Sequence, residues 1–229
     1  MKISNLRKNY DSFSLHIDRL EVPRGEICGI VGPNGCGKTT VMKILAGLTR
    51  PDGGHIDYEG LNTRDITMIF RKPYLLHDTV LRNLTYPLMV RGIKPDAALV
   101  EHYLEISGLS EYRQKYAPSL SGGQQQKLSL VRALIFSPKL IFIDEGFSNM
   151  DIESVAFFEG YILERQQRDP ITWVIISHQL SNIRRLCGYV YFMNGGCVEV
   201  EGPAQEILHQ PGSENLKRYL RYEGVDAEL

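Results

Sequence analysis

A run of nine residues near the N-terminus has the composition and spacing of a loop that binds phosphate. It reads GPNGCGKTT and fits G-x-x-x-x-G-K-[ST], between an apolar stretch typical of a strand and a stretch with helical spacing. The glycines let backbone N–H groups converge on a phosphate, and the helix start adds positive potential. Lys38 would reach the β- and γ-phosphates, and the Thr39 hydroxyl would ligate Mg²⁺. The sequence therefore predicts a nucleoside triphosphate site made by Gly32, Pro33, Asn34, Gly35, Cys36, Gly37, Lys38, Thr39 and Thr40.

Two acidic residues follow another apolar stretch, KLIFID, which is typical of a buried strand. Asp144 and Glu145 would thus lie at the carboxyl end of that strand, where open α/β sheets bind their ligands. Asp144 suits a direct or water-mediated contact with Mg²⁺, and Glu145 suits a general base that polarises the attacking water. The pair could instead cap the next helix. Beside a phosphate loop, we favour the catalytic interpretation.

The stretch SLSGGQQQKLSL predicts a second anion site. Ser121 and Gln124 have the spacing of a capping box that starts an amphipathic helix. Gly122 and Gly123 cost helix stability there unless the backbone must approach another molecule closely. A helix start with bare N–H groups and a serine hydroxyl binds anions, and this makes one phosphate site too many for a single nucleotide.

The bulk composition is ordinary and excludes little. Lys and Arg (26) nearly balance Asp and Glu (27), so no overall field favours nucleic acid or an anionic membrane. The four cysteines have no metal-ligand spacing. The sequence has neither a signal peptide nor an uncharged apolar run long enough to cross a membrane. We therefore expect a cytoplasmic protein whose contact with any membrane runs through a partner.

The order of elements predicts an α/β fold. Short apolar strands alternate with amphipathic helices, which implies a mostly parallel sheet covered on both faces. From 72 to about 127 the pattern is helical or loop-like, and the last segment, from 203 to 229, is helical. We expect a single domain with an α/β core at 1–71 and 128–202, a helical subdomain at 72–127 and a C-terminal helical cap at 203–229.

Taken together, these motifs resemble those of ATP-binding-cassette (ABC) ATPases from Ile3 to Gly202. The resemblance implies a P-loop NTPase fold with a RecA-like core, a small antiparallel N-terminal sheet and an inserted helical subdomain. It also implies that two copies pack head to tail, with each ATP between one copy's phosphate loop and the other's LSGGQ. The motifs that carry it are Gly32–Thr40, LSGGQ (Leu120–Gln124), LIFIDE (Leu140–Glu145), SNMD (Ser148–Asp151) and ISH (Ile176–His178).

The resemblance implies a role for each matched position. Tyr10 would stack on adenine, although it could equally be an ordinary surface tyrosine. Glu145 is the implied base, assisted by Lys38 on the phosphates and by His178, which senses the γ-phosphate. Thr39 and Asp144 would hold Mg²⁺. The opposite copy's phosphate would be bound by Ser121, Gly122, Gly123 and Gln124, while Asp151 belongs to the loop that crosses between copies.

The sequence departs from the family pattern at three places. Gly146 replaces a proline and would loosen a turn, and Asn149-Met150 replaces Ala-Leu. Arg71 replaces the glutamine that touches Mg²⁺ or the lytic water. Arginine has no acceptor and cannot ligate Mg²⁺. Pointed into the site, Arg71 would repel the metal or pair with a phosphate or with Glu145, and a pair with Glu145 would make that carboxylate less basic. Three interpretations stay open: Arg71 contacts phosphate during slow turnover, it marks a weakened regulatory site, or it swings to solvent.

Three classes of ABC protein compete: the ATPase subunit of a membrane transporter, a soluble ABC ATPase and a regulatory nucleotide-binding module. We favour the transporter subunit and expect ATPase activity, with no nucleic-acid partner. Expected partners are a second copy or another ABC ATPase, permease subunits that dock on residues 72–90, and an extracytoplasmic solute-binding protein. The chain layout resembles importers of oxyanions such as tungstate or molybdate, peripheral on the inner face of the membrane.

Overall fold

Two β-sheets form the framework of the molecule, in a computed structural model that describes residues 1–148 and 150–224. The larger sheet has six strands in the order β5-β6-β7-β3-β8-β9, and all neighbours are parallel except β8 and β9. Its strands are β3 (Ile27–Val31), β5 (Ile66–Ile69), β6 (Leu140–Asp144), β7 (Thr172–Ile176), β8 (Tyr189–Asn194) and β9 (Cys197–Pro203). The predicted mostly parallel sheet is confirmed.

The smaller sheet is antiparallel and lies at the N-terminal part of the chain. It contains β1 (Lys2–Tyr10), β2 (Phe13–Glu21) and β4 (Gly53–Asp57) in the order β2-β1-β4. The β1–β2 hairpin closes with Tyr10 paired to Phe13. The small antiparallel part that the family resemblance implies is therefore present.

The central strands of the large sheet are buried on both faces because their residues are almost all apolar. All five residues of β3, β6 and β7 are buried, as a parallel sheet between two layers requires. Alternate residues of one strand enter different hydrophobic clusters: Ile141 and Ile143 pack on one side, and Leu140 and Phe142 on the other. The sheet thus separates two cores.

Eight helices surround these sheets within the described part of the chain. Helix α1 follows the phosphate loop, and α2, α3 and α4 form the predicted helical segment. Tyr103 of α3 donates to the Leu134 carbonyl of α4 at 3.3 Å, which ties two of these helices together. The helices are α1 (Lys38–Leu45), α2 (Val80–Met89), α3 (Ala97–Ile106), α4 (Gly122–Leu134), α5 (Ile152–Arg168), α6 (Leu180–Leu186), α7 (Ala204–His209) and α8 (Glu214–Tyr222).

The expected division of the chain at residue 127 falls inside α4, which begins at Gly122 and continues to Leu134 as one helix. The proposed boundary therefore stays a prediction. At the C-terminal end, α7 and α8 pack back on the core, with the Tyr219 ring 5.6 Å from that of Phe192. Residues 225–229 of the expected cap lie outside the described residues. No described helix has the length and apolarity needed to cross a membrane.

Candidate active site

The phosphate loop joins β3 to α1, and its own lysine donates hydrogen bonds to two of its backbone carbonyls. Lys38 is buried, and its ammonium donates to the carbonyls of Gly32 at 2.6 Å and Pro33 at 3.0 Å. Gly37 has φ +104° at the start of α1, a conformation that L side chains rarely adopt. A Cβ at Gly37 would also lie 2.7 Å from Cζ of Phe13. The loop needs glycine at this position for both reasons.

Thr39 and Asp144 meet at the end of β6. The Thr39 hydroxyl donates to Oδ1 of Asp144 at 3.2 Å. Burial raises the pKa of the Asp144 carboxyl, and the Thr39 hydrogen bond offsets part of this effect. A hydroxyl and a carboxylate are the hard oxygen ligands that Mg²⁺ prefers, and a bound triphosphate would supply further oxygens. The two residues therefore fit a magnesium site, although the described residues contain no cluster of three His, Cys, Asp or Glu.

Glu145 occupies the centre of a three-residue arrangement. Its Oε1 lies 2.8 Å from Nε2 of His178, and its Oε2 lies 3.0 Å from Nε of Arg71. Glu145 has φ +53°, and its backbone N–H donates to the Ile176 carbonyl at 2.9 Å. A non-glycine residue in this conformation is strained, and such strain is concentrated at functional sites.

The sheet order explains why these three side chains meet. Arg71 follows β5, Glu145 follows β6 and His178 follows β7, and the three strands are neighbours. Their carboxyl ends share one edge of the sheet, where ligands bind in this fold class. A cleft of about 200 Å³ opens there, lined by Arg71, Glu145, Phe147, Ser148, Ser177, His178, Gln179 and Asn182.

The second predicted anion site is a well-formed helix start. The Ser121 hydroxyl accepts from the Gln124 N–H at 3.3 Å, and the Gln124 side chain accepts from the Ser121 N–H at 3.1 Å, which completes the capping box. A Cβ at Gly122 would meet open space. Across the residues that the structure describes, no hydrogen bond or ion pair joins this helix start to the phosphate loop of the same chain.

Tyr10 lies at the tip of the β1–β2 hairpin and is 49% exposed. The Lys8 ammonium is 5.6 Å from its ring centroid. The same hairpin tip carries Phe13, whose contact with Gly37 places it beside the phosphate loop. This position agrees with a ring that could stack on a base, and the adenine role stays a prediction.

Asp151 caps α5 and connects two motifs. It accepts from the Ser154 hydroxyl at 2.8 and 2.7 Å and from the Ser154 N–H at 2.8 Å, and these hydrogen bonds lower the pKa of its carboxyl to about 2. Lys127 of α4 lies 3.7 Å from Asp151. An ion pair thus links the N-terminus of α5 to α4. Asn149, one of the departures from the family pattern, lies outside the described residues.

Gly146, another departure, is packed tightly. A Cβ at this position would lie 2.6 Å from Cγ2 of Ile143 and 3.4 Å from Cγ2 of Ile69. A loosened turn was expected here, but this close approach was not. The short contact is made within the turn itself, with the residue three positions earlier, and the longer contact requires β5 to lie beside β6.

Sequence reasoning also missed a polar network beside the cleft. Arg185 of α6 binds Glu159 of α5 through two hydrogen bonds of 2.8 and 3.0 Å, and Glu159 is buried. Arg185 further donates to Asn182, which lines the cleft, at 3.0 Å. Glu159 raises the pKa of the Arg185 guanidinium. An acidic residue inside a largely apolar helix was the available signal.

The fold and these grouped residues define the chain as a P-loop nucleotide-binding protein with a RecA-like sheet. A family model described as "ABC transporter" matches residues 15–148, more than half of the chain. The chain therefore belongs to the ABC transporter family.

Relatives similar to the chain include ATP-binding proteins of uptake systems. The tungstate uptake system ATP-binding protein TupC of Peptoclostridium acidaminophilum is 36% identical, over 87% of this chain and 97% of the relative. The Fe(3+) ions import ATP-binding protein FbpC of Photorhabdus laumondii is 34% identical, over 96% and 66%. The sulfate/thiosulfate import ATP-binding protein CysA of Bacillus cereus is 30% identical, over 96% and 66%. The chain spans about two thirds of these last two.

Known structures agree on the fold. A dimeric ATP-binding cassette in a post-hydrolysis state with ADP and Pi matches with a TM-score of 0.78, over 89% of this chain and 98% of that chain. An ATP-binding subunit of an ABC transporter matches with a TM-score of 0.83, over 97% and 98%. Both are 24% identical to this chain, so they show the fold alone. The family identifies the chain as an ABC-type ATPase, and its relatives are named as ATP-binding proteins of import systems.

Proposed function

We propose that the chain hydrolyses Mg²⁺-ATP as one half of a head-to-tail pair on a permease, with Glu145 as the general base. The observation that carries this proposal is the arrangement around Glu145. It lies between His178 and Arg71, directly after Asp144, which contacts Thr39 of the phosphate loop. This arrangement would supply a base for water, a ligand for the metal and a cation for phosphate at one edge of the sheet.

Each proposed role follows from position and chemistry. Lys38 would bind the β- and γ-phosphates, and His178 would contact the γ-phosphate while holding Glu145. Thr39 and Asp144 would hold Mg²⁺, which would neutralise negative charge on the phosphate oxygens. Glu145 would accept a proton from the attacking water. Tyr10 would stack on the adenine.

The separation of the two anion sites supports pairing. At the helix start of α4, Ser121 and Gly122 are exposed, and the N–H groups of Ser121 and Gln124 are used in the capping box. No hydrogen bond or ion pair among the described residues joins it to the phosphate loop of the same chain. A second copy in the opposite orientation would bring this helix start to the first copy's γ-phosphate, and Asp151 would lie near the crossing. We propose a homodimer, or a pair with another ABC ATPase, that forms on ATP.

The permease would dock on residues 72–90. This segment exposes Tyr74, Tyr86, Met89 and Val90, with Tyr74 68% exposed. Exposed apolar and aromatic side chains of one segment are a typical protein-binding surface. The segment begins one residue after Arg71, so docking would act close to the cleft. It would keep the chain at the cytoplasmic face of the membrane, with a solute-binding protein on the other side.

For the cargo we propose a tetrahedral oxyanion. The relatives named for tungstate and for sulfate or thiosulfate support this class, and the TupC relative is matched over almost its whole length. The iron relatives support a different cargo. A strain without the gene for this chain would be grown on limiting tungstate, molybdate, sulfate or iron, with and without the gene returned. A growth defect that appears only on limiting iron, and that the returned gene rescues, would contradict the proposal.

The assignment of Glu145 predicts that Glu145→Gln reduces steady-state phosphate release by about 10²–10⁴-fold, the usual contribution of a general base. ATP binding should persist, so light scattering of this variant with ATP should show twice the mass of one chain. Glu206→Gln, an exposed glutamate on α7, is the matched control and should behave as the wild type. Equal rates in Glu145→Gln and the wild type would contradict the assignment.

The contact between Arg71 and Glu145 favours one other candidate function, a weakly hydrolysing regulatory module. In that case the wild type would release phosphate nearly as slowly as Glu145→Gln, Arg71→Gln would be faster, and ATP would still drive pairing.

A further inference from the structure

The pairing of β5 with β6 places Arg71 next to Glu145. These parallel strands are in register, with Ile69 opposite Ile143, and each side chain lies two residues beyond that pair. The guanidinium contacts Oε2 of Glu145 through Nε at 3.0 Å. Arg71 is 68% exposed, and its two terminal nitrogens have no partner among residues 1–148 and 150–224. Nε of the guanidinium thus contacts the Glu145 carboxylate, while the two terminal nitrogens remain available to a ligand.

Both oxygens of Glu145 are engaged, and the carboxylate is only 11% exposed. The titratable and charged groups that face it are Arg71, which follows β5, and His178, which follows β7, with Asp144 preceding it at the end of β6. A general base must turn an oxygen toward the water that it deprotonates. The Arg71 contact competes with that geometry.

A terminal phosphate is a stronger partner for arginine than a carboxylate is. It carries more negative charge than one carboxylate, and the guanidinium fork binds its oxygens in pairs. The accessible nitrogens of Arg71 lie in the same cleft as His178. A triphosphate bound to the phosphate loop would therefore compete with Glu145 for Arg71.

We propose that Arg71 is a positioning residue that holds Glu145 until the terminal phosphate of ATP draws the guanidinium away. This inference rests on the proposed role of Glu145 as base. The Arg71–Glu145 contact would slow ATP hydrolysis, and a bound triphosphate would weaken it; we call this contact the brake. It explains how an arginine can occupy this position in an active ATPase.

The segment that carries Arg71 is also tied to α4 on both sides. Gln126 donates to the Phe70 carbonyl at 3.4 Å, and Arg132 donates to the Tyr74 carbonyl at 2.7 Å. Gln126 is fully buried, and its Oε1 has no hydrogen-bond partner among the described residues. Since Ser121 caps α4, any shift of this helix relative to β6 would move Arg71 with respect to Glu145.

The test compares steady-state ATPase rates of the wild type, Arg71→Gln and Arg71→Lys at ionic strengths from about 0.05 to 0.5 M. Arg71→Gln should raise kcat about two- to fivefold at low salt, the effect expected for loss of a partly exposed ion pair. Because salt screens exposed charges, the wild-type rate should approach the variant's rate at high salt. Arg71→Lys keeps the charge without the fork and should fall between them.

The control is Arg19→Gln, which removes an exposed arginine with a glutamate partner at 3.3 Å far from the cleft. It should change neither kcat nor its salt dependence. If Arg71→Gln is no faster than the wild type while Glu145→Gln is inactive, the brake is wrong and the proposed function stands. If Glu145→Gln keeps the wild-type rate, the assignment of the base fails instead. Thermal melting of each variant confirms that its fold is retained.

Discussion

At the cleft, packing against neighbouring side chains restricts which residue type can occupy a position. Gly146 shows this, because its backbone lies against the Ile143 and Ile69 side chains with no room for a Cβ. Ile143 is β-branched and buried in the core, so its methyl group cannot easily move aside. The turn after Glu145 is thus fixed by packing, and this packing helps to hold Glu145 in its strained conformation.

Gly146→Ala should therefore lower the free energy of unfolding by about 1–3 kcal/mol, the usual cost of overpacking. Urea denaturation followed by circular dichroism measures the change. Gly160→Ala is the matched control, since Gly160 is exposed on α5 and a Cβ there meets nothing within 4 Å. That substitution should raise stability by about 0.5–1 kcal/mol because alanine favours a helix. The same sign for both variants would contradict the packing argument.

Secondary-structure elements were largely predictable from the sequence. The apolar runs before the phosphate loop and before Asp144 are strands, as expected. Asp144 ends β6, and Glu145 and His178 follow strand ends. The sequence allowed a pair between Arg71 and Glu145 but could not distinguish it from a contact with phosphate or from exposure to solvent. The pair requires the register of β5 against β6, which depends on pairing between segments about 70 residues apart. The continuity of α4 through residue 127 was also missed, because the residues become more apolar there and the expected subdomain boundary was placed at that change.

The junction of α5 with α6 gives a prediction at this scale. Arg185→Ala would leave Glu159 buried without its counter-charge, which should cost about 3–5 kcal/mol of stability. Arg184→Ala, at the exposed neighbouring position, should change stability by less than about 0.5 kcal/mol. Thermal and urea unfolding measure both. Adding Glu159→Gln to Arg185→Ala should recover part of the loss, and no recovery would mean that the pair acts through packing instead.

At the scale of the whole molecule, the large sheet carries the residues of the cleft at one of its edges. The helix start at Ser121 lies apart from this cleft and is proposed to bind the nucleotide of a partner. The fold class was predictable because alternating strands and helices allow few arrangements. The helix start at Ser121 has no complement within the described chain, so its proposed partner could be suggested only by the family resemblance. Pairing depends on how the surfaces of two molecules fit together. The order of apolar and polar residues in one chain does not indicate how a second copy is oriented.

The position of β5 at the end of the sheet has a consequence for amide hydrogen exchange. Strand β6 is hydrogen-bonded on both sides and wholly buried, so its amides should exchange only on global unfolding. Strand β5 has one neighbour, and its two central residues are half-buried, so local opening should expose it. Mass spectrometry should therefore find residues 66–71 exchanging many times faster than residues 140–144. Arg71 would then move on a shorter timescale than the glutamate it contacts, and equal protection of the two strands would contradict this difference.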